Sequence, residues 1–341
     1  MIKKQLVLAI TSATLLTTGM GVAQAQESVT LSMVHGSPES HVITKQGIEP
    51  WMACVSEETD DQISFDYYPG GQISKTPELL RAIKGGIADV APVPIGYVSD
   101  ELPLNGVSML PGLGSSSTEI VTAYSSALKS GILKEEFTSN NLMPLLVMAY
   151  PPYQLVSIGE KIDSADAFEG TVLRSAGGAM NLAISELGAS PAEIPIGDTY
   201  IALERGTVDG TISAFASIKP FSLQELMKSM SSNGAFGTFT NVLSMPLDNF
   251  DALSSEMQTT LVNCGTRTEE AMASHLDQEV EVLAQEFTEL GIEIYEFAPD
   301  ELDKINSSLA EVQKDWVQRL DNRGLAAAQA LEEYSSALNG Q

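Results

Sequence analysis

The chain has 341 residues, 43% of them apolar, and carries 45 acidic against 18 basic side chains for a formal charge of −27. A chain of this length exceeds what one hydrophobic core holds and fits two bodies of roughly 100 to 200 residues each. So acidic a surface excludes nucleic acid and anionic membrane as partners, and its simplest reading is solubility.

In chain order, Lys3 and Lys4 precede an apolar run over 6–16 and the small-residue pattern Ala23-Gln24-Ala25. This is the pattern of a secretory signal peptide over 1–25, cleaved after Ala25, with the exported chain beginning at Gln26 in the periplasm. The run is too short to span a bilayer, and no later stretch reaches the roughly 18 apolar residues that spanning needs. No Cys follows the cleavage site to take a lipid and no twin Arg precedes the run, so the general export pathway is expected. Cys54 and Cys264 are the two cysteines, which permits one intramolecular bridge in an oxidising compartment. Their spacing leaves open the alternative of two buried small hydrophobes.

A strand is expected over 29–34, then the break Gly36-Ser37-Pro38 and a helix over 42–58 with Ser40 and His41 at its start. A strand over 63–67 runs into Pro69-Gly70-Gly71, a helix over 77–84 has Pro in its first turn, and Gly85-Gly86 ends it before a strand over 88–93. This strand-helix-strand order is that of a parallel α/β fold. Its punctuation recurs: Ala82-Ile83-Lys84-Gly85-Gly86-Ile87-Ala88-Asp89 is echoed by Ala202-Leu203-Glu204-Arg205-Gly206-Thr207-Val208-Asp209, which suggests two similar α/β lobes. Between them, a strand over 143–148 leads into Ala149-Tyr150-Pro151-Pro152-Tyr153, a candidate lobe crossing. A strand over 171–174, a helix over 176–187 and a strand over 192–196 follow, the last ending at Ile196, a candidate ligand contact. Beyond 253 the apolar spacing is helical almost to the end.

Arg174 ends an apolar strand, no acidic residue lies between Glu169 and Glu186, and Ser175-Ala176-Gly177-Gly178 opens a helix. A guanidinium at that position forms a bidentate clamp for an anion; the competing reading is an ion pair with a carboxylate distant in sequence. Enzyme constellations are mostly missing. His35, His41 and His275 lack metal-ligand spacing, and no nucleophile elbow, Cys-x-x-Cys pair or phosphate loop occurs. No cofactor or metal is implied. His35, just past the first strand, is a candidate cleft residue beside the commoner reading of a capped surface histidine.

Tyr68-Pro69-Gly70-Gly71-Gln72-Ile73 with Glu78-Leu79-Leu80-Arg81-Ala82-Ile83-Lys84-Gly85-Gly86, and then Phe168-Glu169-Gly170, Leu173-Arg174, Leu187-Gly188-Ala189-Ser190-Pro191, Tyr200-Ile201-Ala202-Leu203 and Gly206-Thr207-Val208-Asp209-Gly210, match in order and spacing the solute-binding subunits of TRAP (tripartite ATP-independent periplasmic) transporters. Over nearly the whole exported chain the sequence resembles this family, often called DctP. The resemblance implies two α/β lobes with an interlobe cleft and a long helix spanning both: 26–150 with about 243–285 as the first lobe, 151–242 with about 286–341 as the second. It places Arg174 on the arginine that grips the ligand carboxylate. It also implies a small organic anion as ligand, TRAP membrane subunits as partners and no catalysis. Two positions depart from the dicarboxylate and sialic acid binders: Gln154 stands where those commonly carry a second Arg, and Ser213 where some place Asn. A neutral amide cannot pair a second carboxylate, so a monocarboxylate is expected, its other end packed on Tyr153, Phe215 and Tyr97. The alternatives are a binding protein of another importer or sensor system, and a secreted hydrolase.

Overall fold

The computed structural model describes residues 28–340, so the expected signal peptide at 1–25 lies outside the described residues. The chain begins with β1 (Val29–Val34); a wide-turned π-type segment, Ile43–Ile48, then runs directly into α1 (Glu49–Glu58), and β2 (Ile63–Tyr68), α2 (Leu79–Lys84) and β3 (Ala91–Pro94) follow. Next come α3 (Ser117–Ala127), α4 (Ile132–Ser139) and β4 (Leu142–Ala149). The middle of the chain holds β5 (Gln154–Ser157), β6 (Val172–Ser175), α5 (Ala179–Glu186), β7 (Ser190–Glu193), α6 (Thr199–Glu204), β8 (Gly210–Ser213) and β9 (Ser229–Ser231). The last part contains β10 (Thr240–Pro246), α7 (Leu247–Ala252), α8 (Ser255–Glu289), β11 (Glu293–Tyr295), α9 (Pro299–Asp321) and α10 (Ala327–Asn339).

Three sheets divide these strands, two of them in the first lobe and one in the second. In the first lobe β1 and β2 run parallel, Met33 bridges Val90 at the entry to β3, and β10 lies antiparallel between β3 and β4. Strands β3 and β4 are apolar throughout and β10 is buried almost throughout, as strands covered on both faces must be. The second lobe is a six-stranded sheet in the order β11-β9-β5-β8-β6-β7, with β8, β6 and β7 parallel. Most expected elements fall within a residue or two of their sequence bounds. The helix expected from 176 begins only at Ala179, because Gly177 and Gly178 hold φ of 89° and 55°, left-handed values that cannot continue a right-handed helix.

Two segments cross between the sheets, from β4 to β5 and from β9 to β10, and they are bonded to each other. Tyr153 N–H donates to Gly237 O at 2.7 Å, Phe236 N–H to Tyr153 O at 3.3 Å, and the Thr238 hydroxyl to Tyr150 O at 2.7 Å. A third connection is α8, whose 35 residues span about 52 Å at 1.5 Å per residue. It lies on β4, α3 and α1 in the first lobe and reaches the Phe215–Ser217 turn and β11 in the second. At Gly265 the helix meets a bulge in β4 so closely that an added Cβ would sit 1.7 Å from Leu145 O. Cys54 on α1 and Cys264 on α8 form a disulfide within the first lobe, deciding the question their spacing left open. The tail differs from expectation: α9 packs on α5 of the second lobe, but α10 returns to α3 and α4 of the first. No helix among the described residues is long and apolar enough to cross a membrane.

Candidate functional site

Arg174 is the penultimate residue of β6, at the carboxyl end of the parallel strands of the second lobe, and is only 2% exposed. Its Nε–H donates to Ile194 O at 2.7 Å and its Nη2 to the Tyr97 hydroxyl at 3.0 Å. Both acceptors are neutral. Among the described residues no carboxylate forms an ion pair with it, so the competing reading of a distant acid does not hold for this Arg. A guanidinium offers five N–H donors, and the end-on edge formed by Nη1 and Nη2 still has donors to spare. That edge is the one a carboxylate engages bidentately.

Arg174 faces an interlobe cavity of about 40 Å³. The second lobe contributes Arg174, Ala176, Ile196, Ser217 and Phe221; the first contributes Ser37, His41, Ile43, Thr76, Tyr97 and Asn241; the crossing segments contribute Tyr150, Tyr153 and Phe239. Tyr97 reaches across the gap, since its hydroxyl accepts from Arg174 and also from the Ile196 N–H at 2.9 Å. With two donors already pointing at its oxygen, the phenol keeps its own proton to donate. The neighbouring Gly96 makes this approach feasible, because a Cβ there would lie 3.0 Å from Ala176 O and 2.6 Å from Phe239 Cε2.

The only histidine lining this cavity is His41. Its Nδ1 accepts from the Ile43 N–H at 3.2 Å, so in the neutral ring the proton sits on Nε2, 3.5 Å from the Tyr150 hydroxyl. Burial, reinforced by nearby His35, pushes its pKa down to about 4, so it carries no charge at neutral pH. Burial likewise holds the phenols of Tyr150 and Tyr153 protonated, well above their ordinary range. Arg174 is therefore the one charged group in the lining.

A larger groove of about 880 Å³ lies behind the crossing segments, against α8 and α9. Size favours this groove and chemistry favours the small cavity. The charged residues lining the groove are Glu119, Asp277 and Glu281, all acidic, and acids repel an anion.

Residues 33–319 match the family described as bacterial extracellular solute-binding protein, family 7, or DctP. The chain belongs to that family. A curated relative, a solute-binding protein of Albidiferax ferrireducens, is 23% identical over 241 residues, 70% of each chain. Among solved structures, a marine metagenome TRAP solute-binding protein specific for aromatic acid ligands, complexed with 3-hydroxybenzoate, superposes with a TM-score of 0.85 at 20% identity, covering 92% of this chain and 98% of its own. A TRAP solute-binding protein from Rhodoferax ferrireducens T118 with copurified benzoate superposes at 0.84 with 22% identity and the same coverage. These likenesses establish the two-lobed fold.

For this DctP protein, the residues expected at the site divide into two groups. Arg174, Tyr97, Tyr153 and Ile196 meet around one cavity, and Gln154, Ser213, Phe215 and His35 do not join them. Gln154 is a fastener of the crossing segments: its Nε2 donates to Gly234 O at 2.7 Å and Pro152 O at 3.1 Å, and its Oε1 accepts from Gly234 N–H and the Ser231 hydroxyl, both at 2.9 Å. An amide so saturated has little left for a ligand. Phe215 stacks on Phe287 in the second-lobe core, with ring centroids 6.0 Å apart. Ser213 is buried at 1% exposure, lines neither cavity, and its Oγ has no partner among the described residues. His35 is buried against Tyr67, with Nε2 2.9 Å from its hydroxyl, and burial lowers its pKa to about 4. The chain-order reading did not assign His41, Tyr150, Phe239 or Asn241 to the cleft. Asn241 had no legible signal, since it stands in β10 beside Thr240 and ahead of Ser244 and its polarity does not single it out.

Proposed function

We propose that this protein binds a small organic monocarboxylate between its lobes and presents it to TRAP membrane subunits for uptake, doing no chemistry on it. The observation that carries the reading is Arg174: a cation 2% exposed, facing an interlobe cavity, bonded only to neutral acceptors. Burying a charge without a counter-charge is costly, and a ligand carboxylate is the counter-charge that would repay it. The lining holds no second cation, because His41 is neutral, so one carboxylate matches and two do not. Tyr97, Tyr150, Tyr153, Phe221 and Phe239 offer ring faces and edges, which favours a compact, aromatic-sized acid such as the benzoate and 3-hydroxybenzoate held by the similar structures. A cavity this small, with Tyr97 tied to Arg174 and Ile196, is a closed clamp that must part to admit a ligand. Its bodies are 26–150 with about 243–285 and 151–242 with about 286–326, α10 staying with the first. Cleavage after Ala25 delivers the protein to the periplasm.

A thermal-shift screen of small acids, followed by calorimetry on the hits, tests this reading, since a ligand of the folded state raises its Tm. Aromatic and other compact monocarboxylates are expected to stabilise. Tight binding of succinate or malate with no response to any monocarboxylate would refute it.

A further inference from the structure

Among the described residues three side-chain amides are buried: Asn105, Gln154 and Asn241. Two are saturated. Asn105 donates from Nδ2 to Leu133 O and Glu136 and accepts from the Tyr124 hydroxyl, and Gln154 fastens the crossing segments as described. Asn241 is 5% exposed, lines the Arg174 cavity from β10, and has no side-chain hydrogen bond to any described residue. Its carboxamide atoms are not among the fully enclosed side-chain atoms left without a partner, so the amide opens onto the cavity, where an occupant can bond it.

Resting on the monocarboxylate reading, we infer that Asn241 is the specificity determinant for a second, neutral polar group on the ligand, a hydroxyl or carbonyl remote from its carboxylate. Neutrality follows from the lining. It contains no Asp, Glu or Lys, Arg174 is committed to the carboxylate, and neither a second carboxylate nor an ammonium group would meet an opposite charge. An amide presents a donor and an acceptor side by side, which suits a hydroxyl in either role. Placement adds a mechanical consequence. Asn241 belongs to the central strand of the first-lobe sheet and Arg174 to the second-lobe sheet, so a ligand bonded at both ends ties the lobes together. An acid lacking the second group is gripped from one side only. The hydroxylated acid should therefore bind more tightly through slower release.

Titration calorimetry on the full exported chain, with the pairs benzoate and 3-hydroxybenzoate, and phenylacetate and 3-hydroxyphenylacetate, decides the matter. The wild type is expected to prefer the hydroxylated member of at least one pair by about tenfold or more, the size of one hydrogen bond to a buried polar group. Asn241→Ala should erase that preference by weakening only the hydroxylated acid, leaving its partner within about threefold. Asn241→Leu, which fills the volume, should do the same and serves if the alanine variant is unstable. Arg174→Met should weaken every acid that binds. A preference that survives both Asn241 variants, equal loss for both members of a pair, or no preference in the wild type would overturn the Asn241 assignment and leave the monocarboxylate reading standing. A wild type that binds none of the acids overturns both.

Discussion

Replacing Arg174 by Met separates a ligand-binding arginine from a structural one, because the two roles predict different pairs of outcomes. The side chain is 2% exposed, and two of its N–H groups are spent on Ile194 O and the Tyr97 hydroxyl. The donors left on its outer edge would form a desolvated, bidentate pair with a carboxylate, and truncating one partner of such a pair costs about 2–5 kcal/mol. At about 1.4 kcal/mol per decade, the affinity for benzoate-like acids should fall by roughly 30-fold to 4,000-fold. Stability should behave differently. Met removes a buried charge whose desolvation no acid offsets, a gain, and strips donors from Ile194 O and Tyr97, a loss of about 1–3 kcal/mol for each buried acceptor left unbonded. These terms oppose, so the ligand-free melting temperature should move by only a few degrees. Calorimetry reads the first quantity and a thermal melt without ligand the second. Binding retained within about threefold, or a loss of stability above about 4 kcal/mol with affinity intact, would show that Arg174 serves the fold and that the carboxylate clamp is wrong.

Two further perturbations probe the clamp and the core. Gly96→Ala puts a methyl group 3.0 Å from Ala176 O on the opposite lobe, and such overpacking costs about 1–3 kcal/mol. Ligand affinity should drop about fivefold to a hundredfold, and an unchanged dissociation constant would mean that the lobes need not meet there. Glu269 on α8 is buried, accepts from the Ser125 hydroxyl at 2.5 Å and the Val147 N–H at 3.0 Å, and burial raises its pKa to about 7. A carboxyl whose folded pKa exceeds its unfolded value holds its proton more tightly in the native state, so this group's contribution to stability falls as pH rises from about 4.5 to about 7. Glu269→Gln should therefore gain melting temperature relative to the wild type at pH 8 and little at pH 5. An equal difference at both pH values would show that Glu269 does not titrate in this window.

The local rhythm of the chain was legible because it is written in nearest-neighbour chemistry. Alternation, helical spacing and Gly-Pro punctuation placed β1, β2, β4 and β6 close to their observed bounds and marked the chain beyond 253 as mostly helical. Arg174 was legible for a similar reason, since a cation ending an apolar strand, with no acid nearby in sequence, stands out against 45 acidic residues. The sequence could not show which polar side chains are already spoken for. Gln154 resembles a ligand contact until Gly234, 80 residues away, proves to occupy its amide, and Asn241 resembles strand filler until it is found lining the Arg174 cavity. The Cys54–Cys264 pairing and the return of α10 to the first lobe were hidden in the same way. Periodicity and turn chemistry act over a few residues and so can be read along the chain. Hydrogen-bond saturation and burial are set by which distant segments the fold brings together, and only the tertiary structure decides them.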